Sequence, residues 1–299
     1  MIDYPLLLKP VPVPKVWAGN KLSSLRPGTP AGTGESWDIS TVDTAPDDDS
    51  LSTVTVIANG KYTGKPLTEC MQLPVVVKLI DSGDRLSVQN HPDEPDLHKN
   101  EMWYIAESDS GAFLYYDINV SKEEFAARLR KGGEAEILAA MNRYDEPKPG
   151  DYFNVPTGTV HALGPGLLTY EISEYQQVTY RLYDYGRARS RGHLDIGAGI
   201  RALTADTPKQ PVFEPDIEID GGAETITRFH SFVTLRTTDN AAINRCGNYC
   251  LVSALKGGCE ILFGGETTKV PYLSTALLPP TDKPVEIKGG TVLISPLNM

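Results

Sequence analysis

The sequence predicts a mostly β protein whose strands form a barrel or a sandwich. Short apolar or alternating stretches recur along the chain, including PVVVKLI, EMWYIAE and LLTYEIS. Turn residues separate these stretches, and the 299 residues include 27 glycines and 23 prolines. Only one region has clear helical periodicity, which argues against a parallel sheet with a helix between successive strands.

The predicted elements follow one another along the whole chain. Residues 1–20 form an extended entry segment broken by prolines, and strand-like stretches then run from LSTVTVIA to AFLYYDI. Ser121 and Glu124 form a capping box before EEFAARLRKGG, and AEILAAMNRY continues the helical pattern. Strands return with DYFNVP, VHAL, LLTYEIS and VTYRLYDY. A polar stretch from Gly186 to Pro211 leads to the last strands, FHSFVTL to TVLISPL.

Composition and charge argue against several kinds of partner. The chain has 28 basic and 39 acidic residues, a formal net charge of −11, so we expect neither nucleic acid nor an anionic membrane as a partner. The positive contacts of an anionic substrate must therefore be local. No apolar run approaches the length of a membrane span and the first residues lack a secretory pattern, so we expect a cytoplasmic protein.

Cysteine usage points to free thiols. Cys246, Cys250 and Cys259 lie in strand-like sequence without a fourth thiol or a nearby histidine that would complete a zinc site. We therefore predict that these three cysteines are buried and unpaired.

Two clusters of metal-compatible side chains predict a metal site. In LSVQNHPDEPD, Gln89 and His91 are two positions apart, so on a strand both side chains leave the same face. Glu101 begins the apolar strand EMWYI, and His161 lies in GTVHALGPG. These nitrogen and oxygen ligands fit zinc in a catalytic site and equally fit cobalt, manganese or iron. A single histidine is more often a hydrogen-bonded structural residue, so the prediction depends on both clusters together.

The same segments resemble the motifs of a known family. LSVQNHPDEPD, KNEMWYI, GDYFNVPTGTVHALGPG and TYEISEYQQVTYRLYDYGR are similar to those of type I mannose-6-phosphate isomerases, zinc enzymes of the cupin superfamily. KPVPVPKVWAGN and GESWDIS resemble the opening of the family's shorter bacterial and archaeal form. The resemblance covers most of residues 5–190. It implies jelly-roll barrels: a catalytic metal-binding cupin domain at 1–205 with a helical insertion near 121–143, and a smaller metal-free cupin-like domain at 206–299.

The resemblance also implies roles for individual residues. One zinc ion per chain is held by four ligands, Gln89, His91, Glu101 and His161. Three residues are catalytic, namely Arg181, Lys99 and Glu171. Three residues bind the substrate, namely Lys78, Ser87 and Arg187. The segment EISEYQQ departs from the family's Glu-Ile-Gln-Gln-Ser-x-Asp, so the resemblance implies no contacts for residues 173–177.

The implied residues suit an aldose–ketose isomerase. Interconverting mannose 6-phosphate and fructose 6-phosphate moves a proton between C1 and C2 through a cis-enediol(ate), whose negative oxygens a divalent cation and Arg181 stabilise. Lys99 or Glu171 is the proton carrier, and the sequence does not choose between them. The alternatives are a cupin metalloenzyme with another chemistry or another sugar phosphate, and a non-catalytic sugar-phosphate binding module. The expected partner is a phosphorylated hexose, and the expected state is a monomer or a homodimer.

Overall fold

The computed structural model describes residues 2–45, 50–94, 97–187, 193–204 and 210–299. The chain is mostly β, as predicted. Its strands are β1 (Leu6–Lys9), β2 (Val11–Pro14), β3 (Thr33–Ile39), β4 (Val56–Ile57), β5 (Val75–Ser82), β6 (Val88–Asn90), β7 (Glu101–Ser108), β8 (Phe113–Ile118), β9 (Met141–Asp145), β10 (Tyr152–Val155), β11 (His161–Leu163), β12 (Leu167–Glu174), β13 (Tyr180–Tyr183), β14 (Ile217–Asp220), β15 (Glu224–Arg228), β16 (Val233–Thr237), β17 (Ala241–Cys246), β18 (Cys250–Phe263), β19 (Glu266–Val270), β20 (Ser274–Leu278) and β21 (Val285–Pro296). Its helices are α1 (Lys21–Leu25), α2 (Lys122–Lys131), α3 (Glu134–Leu138) and α4 (Ile196–Thr204). None of these four helices combines the length and the apolar character needed to cross a bilayer.

The strands form three sheets. A six-stranded sheet has the order β10-β7-β12-β5-β3-β2, and a five-stranded sheet has the order β13-β6-β11-β8-β9. A ten-stranded sheet contains β14 to β21 together with β1 and β4. Because β1 pairs with β20, the N-terminal segment crosses the predicted division into residues 1–205 and 206–299. The boundary itself, at residues 205 and 206, lies outside the described residues.

The six-stranded sheet is buried on both faces. In β5, Val75, Val77 and Leu79 pack in a cluster that includes residues of the ten-stranded sheet. Ile80 packs instead with residues of the five-stranded sheet, and the neighbouring faces of a strand alternate. Lys78 therefore points with Ile80 into the space between the six- and five-stranded sheets. Burial of both faces explains why PVVVKLI is continuously apolar apart from its lysine.

The five-stranded sheet faces this same space on one side and the helices on the other. Val88 and Ala162 pack in a cluster with Phe125 of α2. Since successive side chains alternate, Gln89 and His161 point away from the helix and into the space between the sheets.

The predicted helical insertion begins as expected and ends early. Ser121 Oγ accepts a 3.2 Å hydrogen bond from the backbone nitrogen of Glu124. Helix α2 ends at Lys131 and is capped by Gly132, whose φ of 86° is left-handed. Helix α3 ends at Leu138, and Met141–Asp145 forms strand β9, although AEILAAMNRY predicted a helix. Strand β9 pairs with β8, so hydrogen bonding along the sheet edge outweighs the local helical preference.

The ten-stranded sheet encloses an apolar interior. Val252, Ile261, Leu278, Val285 and Ile294 are fully buried in one cluster. The three cysteines predicted as buried free thiols belong to the same cluster and form no disulfide, which confirms that prediction; they are Cys246, Cys250 and Cys259.

Candidate metal centre and active-site cavity

Three predicted ligands lie together between the five- and six-stranded sheets. His91 directly follows β6, Glu101 begins β7 and His161 begins β11. Their ligand atoms all lie within 4.8 Å of one another, and each residue is 1% exposed. Within the described ranges, no second set of three such side chains is grouped this closely.

Backbone carbonyls orient both imidazoles. His91 Nδ1 lies 3.0 Å from the carbonyl oxygen of Val178, and His161 Nδ1 lies 2.9 Å from that of Thr159. A carbonyl only accepts hydrogen bonds, so each Nδ1 carries a proton, and in the neutral imidazole each Nε2 then presents a lone pair. Both Nε2 atoms face Glu101, at 3.0 Å from His91 and 3.9 Å from His161.

This arrangement leaves buried acceptors facing each other. His91 Nε2 and both carboxylate oxygens of Glu101 have no hydrogen-bond partner. Lys99 Nζ, at 2.7 Å from Glu101 Oε1, is the nearest positive charge to this carboxylate. Two acceptors 3.0 Å apart repel each other unless they share a proton or a cation. The cluster therefore fits a divalent cation.

Gln89 lies beside the cluster. It is directly opposite His161 in the pairing of β6 with β11, and its Nε2 lies 3.3 Å from His161 Nε2. Its Oε1 accepts a 3.0 Å hydrogen bond from Ser87 Oγ. A half-turn of the amide exchanges its oxygen and nitrogen, so Gln89 is able to present an oxygen to the cluster.

A cavity of about 260 Å³ contains the remaining predicted site residues. Seven of the ten predicted residues line it, namely Lys78, Ser87, Gln89, Lys99, Glu171, Arg181 and Arg187. The other three form the buried cluster. A larger cavity of about 680 Å³, lined by Asp81 and Asp109 among others, contains none of the ten.

Sequence reasoning missed several residues of this cavity. Lys15 and Glu35 line it and form an ion pair, with Nζ and Oε1 3.4 Å apart. Gln177 Oε1 accepts a 3.4 Å hydrogen bond from Lys78 Nζ. Lys15 and Glu35 lie in KPVPVPKVWAGN and GESWDIS, the two segments that resemble the opening of the family's shorter form. Only the pairing of β2 with β3 and of β3 with β5 brings these segments to the cavity.

Two lysine–glutamate pairs in the site differ in electrostatic character. Burial works against the charges of Lys99 and Glu101, yet their mutual attraction raises the pKa of Lys99 and holds the pKa of Glu101 well below its ordinary value. Lys78 Nζ and Glu171 Oε1 are farther apart, at 3.8 Å. There burial lowers the pKa of Lys78 and raises the pKa of Glu171. The shifts favour the ionised forms in the first pair, whereas in the second they disfavour the charge on both partners.

Trp103 connects the two parts of the site. Its ring packs edge-on against His161, with centroids 5.1 Å apart, and its Nε1 donates a 3.2 Å hydrogen bond to Glu171 Oε2. Burial lowers the pKa of His161 to about 4, so its imidazole is neutral near pH 7. Neutral imidazole is the form that binds a metal.

Facing antiparallel sheets that enclose a buried His–Glu–His cluster and a charged cavity define a cupin-like enzyme with a candidate metal centre. Known proteins narrow this class. The chain is 30% identical to mannose-6-phosphate isomerase of Streptococcus mutans, over 97% of each chain. It matches the crystal structure of mannose 6-phosphate isomerase from Bacillus subtilis with a TM-score of 0.80 and 27% identity, over 98% of this chain and 99% of that one.

A mannose 6-phosphate isomerase solved with bound zinc and yttrium shares the fold, with a TM-score of 0.72 and 11% identity over 99% of this chain and all of that one. No protein-family model matches the chain. The chain belongs to the mannose-6-phosphate isomerase family. It is a sugar-phosphate isomerase, which confirms the predicted family and class of enzyme.

Proposed function

We propose that this enzyme interconverts mannose 6-phosphate and fructose 6-phosphate with one divalent metal ion per chain, zinc in the first instance. The observation that carries the proposal is the 3.0 Å approach of His91 Nε2 and Glu101 Oε1, two buried acceptors beside a cavity lined by lysine and arginine. The relatives named above support the reaction, and the one solved with zinc supports the metal.

Four residues would hold the ion: Gln89, His91, Glu101 and His161. Their imidazole nitrogens, carboxylate and amide are ligands that zinc accepts in catalytic sites and that cobalt, manganese and iron accept too. Lys99 keeps Glu101 ionised, which is the form that ligation requires. When bound, the cation supplies Lewis-acid stabilisation of negative charge on the substrate oxygens.

The charge of the cavity suits a phosphorylated sugar. Five basic and three acidic side chains line it, a local positive surplus in a chain of net charge −11. We assign phosphate and hydroxyl binding to Lys78, Ser87 and Arg187. Lys78 Nζ is 4.1 Å from the centre of the Trp37 ring and is 5% exposed, so an anionic ligand would relieve the cost of burying its charge. Arg187 forms an ion pair with Asp184, which orients its guanidinium.

The two candidate proton carriers suit different roles. The reaction removes a proton from C2 of the aldose and delivers one to C1, while the hydroxyl proton passes from O2 to O1. Burial and the nearby Glu101 raise the pKa of Glu171 above its ordinary value, which is favourable for a group that both accepts and donates a proton. Lys99 stays protonated beside its carboxylates. We therefore assign proton transfer to Glu171, and hydrogen bonding to the developing oxyanion to Lys99 and Arg181.

We propose a cytoplasmic enzyme, monomeric or homodimeric, without a nucleic-acid or membrane partner, in agreement with its acidic charge. Catalysis is assigned to residues 1–205, and residues 206–299 are assigned a structural role because the described interior of their sheet is apolar.

The test is conversion of mannose 6-phosphate to fructose 6-phosphate by purified protein before and after chelation, with zinc, cobalt, manganese and iron added back. Activity that is lost on chelation and restored by a divalent metal supports the proposal. Folded, metal-loaded protein that converts only another hexose phosphate overturns the substrate. Binding of mannose 6-phosphate with neither conversion to fructose 6-phosphate nor deuterium exchange at C2 in heavy water overturns catalysis and favours a binding module.

A further inference from the structure

Glu174 is a buried carboxylate that the proposed reaction does not use. It ends β12 and is 5% exposed. Its Oε2 accepts hydrogen bonds from the backbone nitrogen and from Nδ2 of Asn100, at 3.0 and 2.9 Å, and its own backbone nitrogen donates to the carbonyl oxygen of Asn100 at 3.0 Å. Three hydrogen bonds thus join one pair of residues. Its Oε1 is buried without a hydrogen-bond partner, so this carboxylate is costly to keep inside the protein.

Asn100 lies between two residues of the site, Lys99 and Glu101. Its Oδ1 accepts a 3.1 Å hydrogen bond from the backbone nitrogen of Thr157. In return, Thr157 Oγ1 accepts a 2.9 Å hydrogen bond from the backbone nitrogen of Lys99. A continuous chain of hydrogen bonds therefore runs from Glu174 through Asn100 to Thr157.

Thr157 belongs to the turn that leads into His161. The backbone nitrogen of Thr159 donates to the carbonyl oxygen of Pro156 at 3.0 Å, and the carbonyl oxygen of Thr159 faces His161 Nδ1 at 2.9 Å. The chain of hydrogen bonds consequently connects the end of β12 with both segments that carry Glu101 and His161. Glu101 and His161 stand on different sheets, so the distance between them depends on hydrogen bonds of this kind between their segments.

We propose that Glu174 is a positioning residue: through Asn100 and Thr157 it sets the distance between Glu101 and His161, and thereby the metal affinity of the cluster. This inference rests on the proposed function, because it takes the cluster as the metal site. Glu174 does not line the cavity and acts only through other residues. Partners that orient metal ligands in this way typically change metal affinity 10- to 100-fold when they are removed.

The test compares Glu174→Ala with Glu174→Gln, by competition titration of zinc against a chromophoric chelator and by thermal unfolding of the metal-free protein. Glu174→Ala is expected to raise the zinc dissociation constant about 10- to 100-fold, and to lower kcat without a matching rise in KM. Glu174→Gln keeps an acceptor oxygen for Asn100 and is expected to restore most of the affinity. Thr157→Val removes the bond that Thr157 Oγ1 accepts from the backbone nitrogen of Lys99 and keeps the backbone bond to Asn100. It should cause a smaller loss in the same direction, and it serves as the test if Glu174→Ala does not fold.

Asn119→Ala is the matched control. Asn119 Nδ2 donates to the carbonyl oxygens of Ala139 and Met141, at 3.3 and 3.0 Å, so its removal is expected to lower the unfolding temperature without changing zinc affinity. Zinc affinity in Glu174→Ala that falls no further than in Asn119→Ala overturns the inference, as does full affinity in Thr157→Val when Glu174→Ala does not fold.

The proposed function and the positioning role fail in different ways. A protein that binds zinc but isomerises no mannose 6-phosphate overturns the proposed function, and the positioning role is still supported if Glu174→Ala weakens zinc binding. Wild-type protein that binds none of the four metals overturns both.

Discussion

The interior of the ten-stranded sheet and the space between the five- and six-stranded sheets are built from the same alternating strands but filled with opposite chemistry. In the ten-stranded sheet, inward side chains such as Val252 and Ile261 are apolar and fully buried. Between the other two sheets, Lys78, Glu101 and Glu171 are charged groups with at most 5% exposure. One interior stabilises the chain by excluding water from apolar surface. The other costs stability, because several charges are buried with incomplete pairing.

The core and the candidate site of this fold differ in residue type and not in strand geometry. Alternation of side chains produces an inner face in both regions, and the residue types on that face decide whether it becomes a core or a site. The charged interior lies beside a large apolar cluster, formed where the six-stranded sheet meets the ten-stranded one. We infer that this apolar contact offsets the cost of the site.

The largest expected loss of activity comes from removing the carboxylate charge at the centre of the charged interior. Glu101→Gln removes the carboxylate that faces both histidines and leaves Lys99 buried without its closest counter-charge. A bound metal contributes several kcal/mol to such a reaction, so we expect isomerase activity to fall about 10³-fold and metal affinity to fall with it.

The control for this prediction is Glu107→Gln. Glu107 lies on the same strand and accepts a hydrogen bond from Tyr272 at 2.6 Å, away from the cluster. The Glu107→Gln variant should retain isomerase activity and metal binding. Full activity with bound metal in Glu101→Gln would contradict the assignment of Glu101.

A smaller effect, on stability, is expected when the pH changes the protonation of a histidine in the charged interior. The pKa of His161 is about 4 in the folded protein against an ordinary value of 6.5. Between these values the unfolded chain takes up a proton that the folded protein does not, so the folded state loses stability as the pH falls. The metal-free protein should lose about 2 kcal/mol of unfolding free energy between pH 7 and pH 5 through this residue.

Urea unfolding at both pH values, with His161→Gln as the comparison, measures this loss. The variant should lose less stability than the wild type, because the titrating imidazole is absent. Equal losses in the two proteins would show that His161 is not buried in its neutral form.

The smallest expected change is a loss of stability from a substitution in the apolar interior. Ile261→Val removes one methylene from a fully buried side chain of β18, which should lower the unfolding free energy by about 1 kcal/mol. Activity per folded molecule should not change, because Ile261 belongs to the interior of the ten-stranded sheet. Urea unfolding and kcat, measured on the same preparation, check both statements. A lower kcat would show that this interior is coupled to the site.

Much of the site could be predicted, and for a definite reason. His91, Glu101 and His161 could be found because each stands in a strong local motif at the start or end of a strand. The ten predicted residues all lie in the cluster or in the one cavity beside it, although their roles stay predictions. Lys15, Glu35 and Gln177 were missed although their segments resemble family motifs. The pairing of β2 with β3 and of β3 with β5 brings Lys15 and Glu35 to the cavity, and Gln177 lies in the segment EISEYQQ, which departs from the family pattern.

The sequence by itself determined the mostly β class, the alternation of faces along each strand and the family, because these depend on local side-chain periodicity and on contiguous motifs. Only the tertiary structure decided which faces meet. The backbone of β12 brings Glu171 beside Lys78, and its last residue, Glu174, reaches Asn100. Likewise, Met141–Asp145 became a strand because β8 offered an edge for pairing. Pairing between strands distant in sequence depends on how the sheets assemble, and no local pattern of residues specifies that assembly.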